Sequence, residues 1–224
     1  MKPIASYIDH TILKPTTTHI EINRICEEAI RYDFAAVCVP PPLVKLAKSK
    51  LEGEYVKVAT VIGFPFGYSA AEAKLAETEQ ALADGAEELD VVINLIALKN
   101  DDWEYLKREM ELLSGLIHAR GRIVKVIIES GILQDKEIIR CCELYSKIGV
   151  DFLKTSTGYA EKGASVEAVR LMRENLPASV KIKASGGIRT YAFARQLIEA
   201  GADRLGCSAS VEIVKGAGIE RGDY

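Results

Sequence analysis

The sequence predicts a (β/α)8 barrel. Short β-type runs alternate with helical runs from end to end, eight such units fit within 224 residues, and lysines and acids recur where the β runs stop. Alternation of this kind implies a parallel sheet. The rival is a doubly wound open sheet. Its mark, a GxGxxG turn after the first strand with an acid further on, is absent.

A first strand is read at Ser6–His10. Thr18-His-Ile-Glu21 then reads as a capping box, and Ile22, Ile25, Cys26, Ala29 and Ile30 share one face of the helix behind it. The second strand is Phe34–Val39. Pro40-Pro41-Pro42 opens the next helix, where a missing N–H costs little. The third strand is Val56–Ile62, followed by a second capping box at Ser69-Ala-Ala-Glu72. Strands at Glu88–Ile93, Ile123–Glu129, Asp151–Lys154, Val180–Lys183 and Asp203–Gly206 complete the set. The helices between them take N-caps at Asn100 or Asp101, Asp135, Ser165 and Thr190. Gly85, Gly121, Gly149 and Gly201 follow helical runs, as left-handed helix ends require. Gly216-Ala-Gly218 marks a mobile tail over 216–224, and the whole of 1–224 forms one domain.

Composition excludes several classes. Net charge is -3 and the basic residues are scattered, which argues against a nucleic-acid surface. No apolar run approaches the length of a membrane span, and the first residues carry no apolar signal core. The cysteines (Cys26, Cys38, Cys141, Cys142, Cys207) form no CxxC pair, so free thiols in a reducing cytoplasm are expected. His10, His19 and His118 lack ligand spacing, and chemistry without metal or cofactor is expected.

In a barrel of this kind chemistry sits at the C-terminal ends of the strands. Those ends carry Asp9, Cys38, Asp90 with Asn94, Lys125 with Glu129, Lys154, Lys183 and Ser208. Alternation puts Asp90 and Asn94 on one face of their strand, and Lys125 and Glu129 on one face of theirs. Lys154 is the most informative residue, because an ammonium in an apolar run is expensive unless paired or neutral. Suppose Lys154 and Lys183 lie about 6 Å apart at an effective dielectric of about 20. Their repulsion is then about 2.8 kcal/mol, enough to lower one pKa by roughly 2. Burial pushes the same way. A neutral lysine attacks an aldehyde to form an imine, an electron sink that lets a neighbouring carbon–carbon bond form or break. Asp90 would move protons through a water. The competing reading is a purely structural salt network of the lysines with Asp90 and Glu129. Gly186-Gly187-Ile-Arg-Thr190 and Gly206-Cys-Ser208-Ala-Ser210, beside Gly158, suggest an anion site built from backbone N–H groups.

Several of these segments carry a family resemblance. Asp151-Phe-Leu-Lys-Thr-Ser-Thr-Gly158, Glu88-Leu-Asp-Val-Val-Ile-Asn94, Val124-Lys-Val-Ile-Ile-Glu129, Lys183-Ala-Ser-Gly-Gly-Ile-Arg189 and Arg204-Leu-Gly-Cys-Ser208 resemble the deoxyribose-phosphate aldolases. Tyr7-Ile-Asp-His-Thr11 and Ala35-Ala-Val-Cys-Val39 do so as well, and the match runs in order from Tyr7 to Ser210. The resemblance implies a TIM-barrel, class I lyase that interconverts 2-deoxy-D-ribose 5-phosphate with D-glyceraldehyde 3-phosphate and acetaldehyde. It implies that Lys154 forms the Schiff base, that Lys183 lowers its pKa and joins the proton relay, and that Asp90 is the relay acid. Gly158, Gly186, Gly187, Gly206 and Ser208 fall where the family binds phosphate, and Asp9 and Thr157 where it contacts sugar hydroxyls. Cys38 matches a cysteine near the site, although a small buried apolar role suits it better. A dimer or tetramer of identical subunits is also implied.

Three departures stand out. Many relatives carry a lysine directly after the KTSTG segment, and this chain has Tyr159. Either phosphate binding is weaker here, or Arg189 or Lys162 compensates. A second serine common after the one matching Ser208 is Ala209 here. Some relatives end in a tyrosine that assists proton transfer, a role that falls on Tyr224. Other lysine-imine aldolases, and a barrel that only binds a sugar phosphate, are the rival readings.

Overall fold

The structure, a computed structural model, describes residues 2–219. Eight parallel strands close into a barrel in sequence order: β1 (Ile8–Thr11), β2 (Ala36–Val39), β3 (Lys57–Ile62), β4 (Glu88–Val92), β5 (Ile123–Ile127), β6 (Phe152–Lys154), β7 (Lys181–Ser185) and β8 (Arg204–Cys207). Around them run α1 (His19–Tyr32), α2 (Val44–Lys50), α3 (Ala71–Ala83), α4 (Leu95–Lys99), α5 (Trp103–Ala119), α6 (Asp135–Ile148), α7 (Val166–Asn175), α8 (Tyr191–Glu199) and α9 (Ser210–Ile219). The helix α9 takes in residues 216–219 of the expected tail. Tyr224 lies outside the described residues.

Strand alternation divides the molecule into two interiors. Ile8, Val37, Val39, Val58, Leu89, Val91, Val124, Val126, Leu153, Ile182 and Leu205 face outward and join the helices in one apolar layer. Each such side chain contributes about 1.5–3 kcal/mol of burial. The residues between them face the barrel axis. On β2 and β3 these are the small apolar Ala36, Cys38, Ala59 and Val61. On the remaining strands they include charged groups, which is where fold and chemistry meet.

Several local expectations shift. Residues 4–7 form a 3₁₀ turn, closed by the Ser6 amide on the Pro3 carbonyl at 3.1 Å, so the first strand starts at Ile8 and not at Ser6. Ser69 does not cap α3, whose flanking residue is Ala70. Burial fixes that helix instead: the Lys74 ammonium lies 2.7 Å from the Val92 carbonyl and 2.8 Å from Glu109, away from water. The strand β4 stops at Val92, so Asn94 turns from the barrel and caps α4, accepting from the Ile96 and Ala97 amides at 3.1 Å each. Asp101 takes a left-handed conformation (φ 57°) after α4, which moves the cap of α5 to Asp102. Asp135 is the first residue of α6, with Gln134 as its cap. The Thr18 capping box and the Ser165 and Thr190 caps stand as read.

Among the described residues no helix is long and apolar enough to cross a membrane, and no cluster of three or more His, Cys, Asp or Glu could hold a metal ion. The five cysteines are free and buried.

Candidate active site

Register places the charged side chains in one layer. Asp90 is paired with Lys125 across β4 and β5, Lys154 with Lys183 across β6 and β7, and Lys183 with Arg204 across β7 and β8. All point inward, and the result is a buried network. Asp90 accepts from Lys125 on Oδ1 at 2.8 Å, and from Lys154 and Lys183 on Oδ2 at 2.8 Å each. Asp9 takes both Lys183 and Arg204. Glu88 takes Lys125 at 2.6 Å and Arg204 at 3.0 Å. The Phe152 ring lies below, with Lys125 and Arg204 at 6.0 and 5.8 Å from its centre.

Four bases therefore face three carboxylates, in a space where an unbalanced charge is costly. Lys125, Lys183 and Arg204 each hold at least two carboxylates. Among the described residues, Lys154 has Asp90 alone, and it shares that oxygen with Lys183. Lys154 is the base that can stay neutral at least cost. Its pKa is lowered, first by burial and then by the Lys183 charge, against the pull of Asp90. Burial acts on Lys183 too, but Asp9 and Asp90 outweigh it and hold that ammonium charged well above the ordinary lysine range. For Asp90, burial is outweighed by Lys125, Lys154 and Lys183, which keep it ionised well below the usual carboxylate range. Burial and the neighbouring Lys183 charge thus act in the same direction on Lys154, with burial the larger cause.

Above this layer opens a cavity of about 420 Å³. Of the expected site residues, Lys154, Thr157, Gly158, Gly186, Gly187, Gly206 and Ser208 line it. Lys183, Asp90 and Asp9 lie below it and are fully buried. Asp9, in register with Gly206, is taken up by Lys183 and Arg204 and does not itself line the cavity. Glu129 forms no salt bridge with the lysines among the described residues, although the Lys154 charge acts on it. It adopts φ 54° just past β5, and its carboxylate receives the Thr157 amide at 3.3 Å and the Thr157 hydroxyl. Cys38 is buried under the cavity with its thiol pushed up by burial, as a small apolar residue would be.

At the cavity rim two loops touch backbone to backbone. The Ala164 amide donates to the Gly186 carbonyl at 3.0 Å, and a Cβ on Gly163 would stand 2.3 Å from that oxygen. This contact sets the Gly186-Gly187 turn, where both residues take positive φ (89° and 77°) and their N–H groups can face an anion. Of the suggested substitutes for the missing lysine, Arg189 lines the cavity. Lys162 lines a separate surface pocket with Ser130 and Glu167.

Sequence reading passed over Arg204, Glu88 and the counter-ion role of Lys125. The signal was present as alternation: Glu88 and Asp90 share a face, and Arg204 precedes Gly206 by two. Lys14 and Arg24, which also line the cavity, gave no local signal.

Residues 4–219 match the sequence model of the DeoC/LacD family aldolases. The chain belongs to the DeoC/LacD aldolase family. It is 53% identical over 216 residues to a deoxyribose-phosphate aldolase from Thermococcus gammatolerans, covering 96% of each chain. Among solved structures it resembles an aldolase named QR15, with a TM-score of 0.92 and 38% identity over 99% of this chain and 98% of that one. It also resembles a deoxyribose-phosphate aldolase from Aeropyrum pernix described as tetrameric, with a TM-score of 0.90 and 34% identity over 96% of this chain and 91% of that one. The family's barrel and lyase class agree with the parallel closed sheet and with a lysine at the cavity floor.

Proposed function

We propose that this chain cleaves 2-deoxy-D-ribose 5-phosphate reversibly to D-glyceraldehyde 3-phosphate and acetaldehyde, with Lys154 as the Schiff-base residue. The observation that carries the reading is the lone, shared counter-ion of Lys154 beside a charged Lys183. The neutral Lys154 amine attacks the C1 aldehyde of the open-chain sugar. Loss of water, with a proton supplied from Lys183 through the Asp90 network, gives the protonated imine. A base takes the C3 hydroxyl proton, the C2–C3 bond breaks, and its electron pair flows into the iminium. Glyceraldehyde 3-phosphate leaves, and the enamine remains on Lys154. Protonation at C2 and hydrolysis release acetaldehyde. The scheme uses no cofactor or metal.

Thr157 faces the sugar, and the glycine turns with Ser208 hold the phosphate. Asp9 acts through Lys183 by keeping it charged and in place. A cytoplasmic, homo-oligomeric enzyme belongs to the same reading. The buried free thiols support the first part and the tetrameric A. pernix relative the second.

The test is acetaldehyde release from deoxyribose 5-phosphate and from unphosphorylated deoxyribose. Release from the first at a much higher kcat/KM is expected. No release from either, or an equal rate with both, would overturn the reading of the site. The rim contact gives a second expectation. Gly163→Ala must push the Gly186 turn aside, so steady-state kinetics should show KM for the phosphorylated sugar raised about tenfold or more, with kcat little changed.

A further inference from the structure

Tyr159 follows the KTSTG segment, where the resemblance implies a lysine, and it cannot supply charge. What it supplies is a fixed reach. Its hydroxyl donates to the Leu13 carbonyl at 2.9 Å, and its ring meets Phe64 edge-on at 5.3 Å between centres. Leu13 and Phe64 in turn pack on the Ala36, Cys38, Ala59 and Val61 cluster. The loop after β6 is thereby latched to the loop after β1, and the next residue on that loop, Lys14, lines the cavity with Gly158, Gly186 and Gly187.

The other charges there are mostly engaged. Arg24 pairs with Glu28 at 3.3 Å, and Glu28 also holds His10 at 2.6 Å. The Glu21 carboxylate takes the Thr18 amide and hydroxyl at 2.8 and 2.9 Å. Among the described residues, Lys14 and Arg189 form no salt bridge within 4.0 Å and both border the cavity, where the Lys14 charge also acts on the Glu21 carboxylate. Lys14 and the glycine turns line one cavity, so an ammonium there can add its charge to the backbone N–H groups that would meet a dianion.

We propose that Lys14 supplies a phosphate-binding charge that Tyr159 cannot, and that Tyr159 is the positioning residue that latches the Lys14 loop in place. The proposal rests on the reading of the cavity as a sugar-phosphate site. Its test compares wild type, Lys14→Gln, Tyr159→Phe and the double variant. Two quantities are read: the ratio of kcat/KM for deoxyribose 5-phosphate over deoxyribose, and the rise in Tm with inorganic phosphate. Lys14→Gln should lower the ratio about tenfold through KM and abolish most of the phosphate-induced rise. Tyr159→Phe should lower it about threefold, with no further loss in the Lys14→Gln background. An unchanged ratio in Lys14→Gln overturns the proposal, as does an equal effect of Tyr159→Phe in both backgrounds. If wild type turns over neither sugar, the function proposed above fails. The phosphate shift still decides this proposal, since its retention in Lys14→Gln overturns it and its loss supports it.

Discussion

Lys154→Leu should abolish borohydride trapping of acetaldehyde and lower kcat/KM by about 10⁴-fold or more, while the protein stays folded. Removing Lys154 leaves Lys125, Lys183 and Arg204 against Asp9, Glu88 and Asp90, a balanced set in which each remaining base keeps its carboxylates. Lys183 cannot stand in, because two carboxylates hold it charged and fully buried. Mass spectrometry after reduction should find the adduct on Lys154 alone. An adduct on Lys183 would sink the assignment. The depressed pKa of Lys154 adds a pH signature. Activity needs the neutral amine, so the rising limb of the rate must lie below the ordinary lysine value of 10.5 and fall away as pH drops through the folded pKa. The sign for stability is the same. A folded pKa below 10.5 means that protonation favours the unfolded chain, so wild type gains stability as pH rises toward that value. Lys154→Leu should gain most over wild type at the lower pH, and the gap should narrow toward pH 10.5.

The barrel was legible because its signals are local and repeated. Runs such as Val124-Lys-Val-Ile-Ile and Glu88-Leu-Asp-Val-Val show a period of two, and capping at Thr18, Ser165 and Thr190 depends on a few adjacent residues. The Ser69 cap failed because distant groups fix that helix, and the Asn100/Asp101 cap because the short α4 runs up to Lys99 and Asp101 turns left-handed. Lys74 reaches Val92 and Glu109 across the fold, and α4 consumes the preceding residues. Lys154 and Asp90 were legible as residue types at strand ends. Which lysine stays neutral was not, because it depends on counting carboxylates contributed by β1 and β4 around each ammonium. Asp9, which resemblance places among sugar contacts, is taken up by Lys183 and Arg204. Lys14 lines the cavity from a loop whose Leu13 carbonyl accepts from Tyr159, 145 positions after Lys14, a contact that no local signal shows.

Asp90→Asn should separate imine formation from turnover. The carboxylate is the point where Lys125, Lys154 and Lys183 converge. An amide of the same shape offers one acceptor and turns two donors toward ammonium groups. Four bases would then face two carboxylates, and a buried charge losing its partner typically costs about 3–5 kcal/mol. A lowered Tm is therefore expected. The cost has its own pH dependence. Asp90 is ionised well below 3.8 in the folded chain, so its stabilisation is fully present above that pH and is lost as pH falls through the folded pKa. The stability gap between wild type and Asp90→Asn should hold steady at neutral pH and close on strong acidification. Chemically, Asp90 is the group that raises the Lys154 pKa against burial. Without it Lys154 is neutral over a wider range, and acetaldehyde should still be trapped by borohydride. Turnover of deoxyribose 5-phosphate should nevertheless fall about 10²–10⁴-fold, because protons no longer reach the carbinolamine and the enamine carbon through that carboxylate. Deuterium exchange at the methyl of acetaldehyde should fall with it. Retained exchange in a folded Asp90→Asn protein would assign proton transfer to another group and reduce Asp90 to a counter-ion.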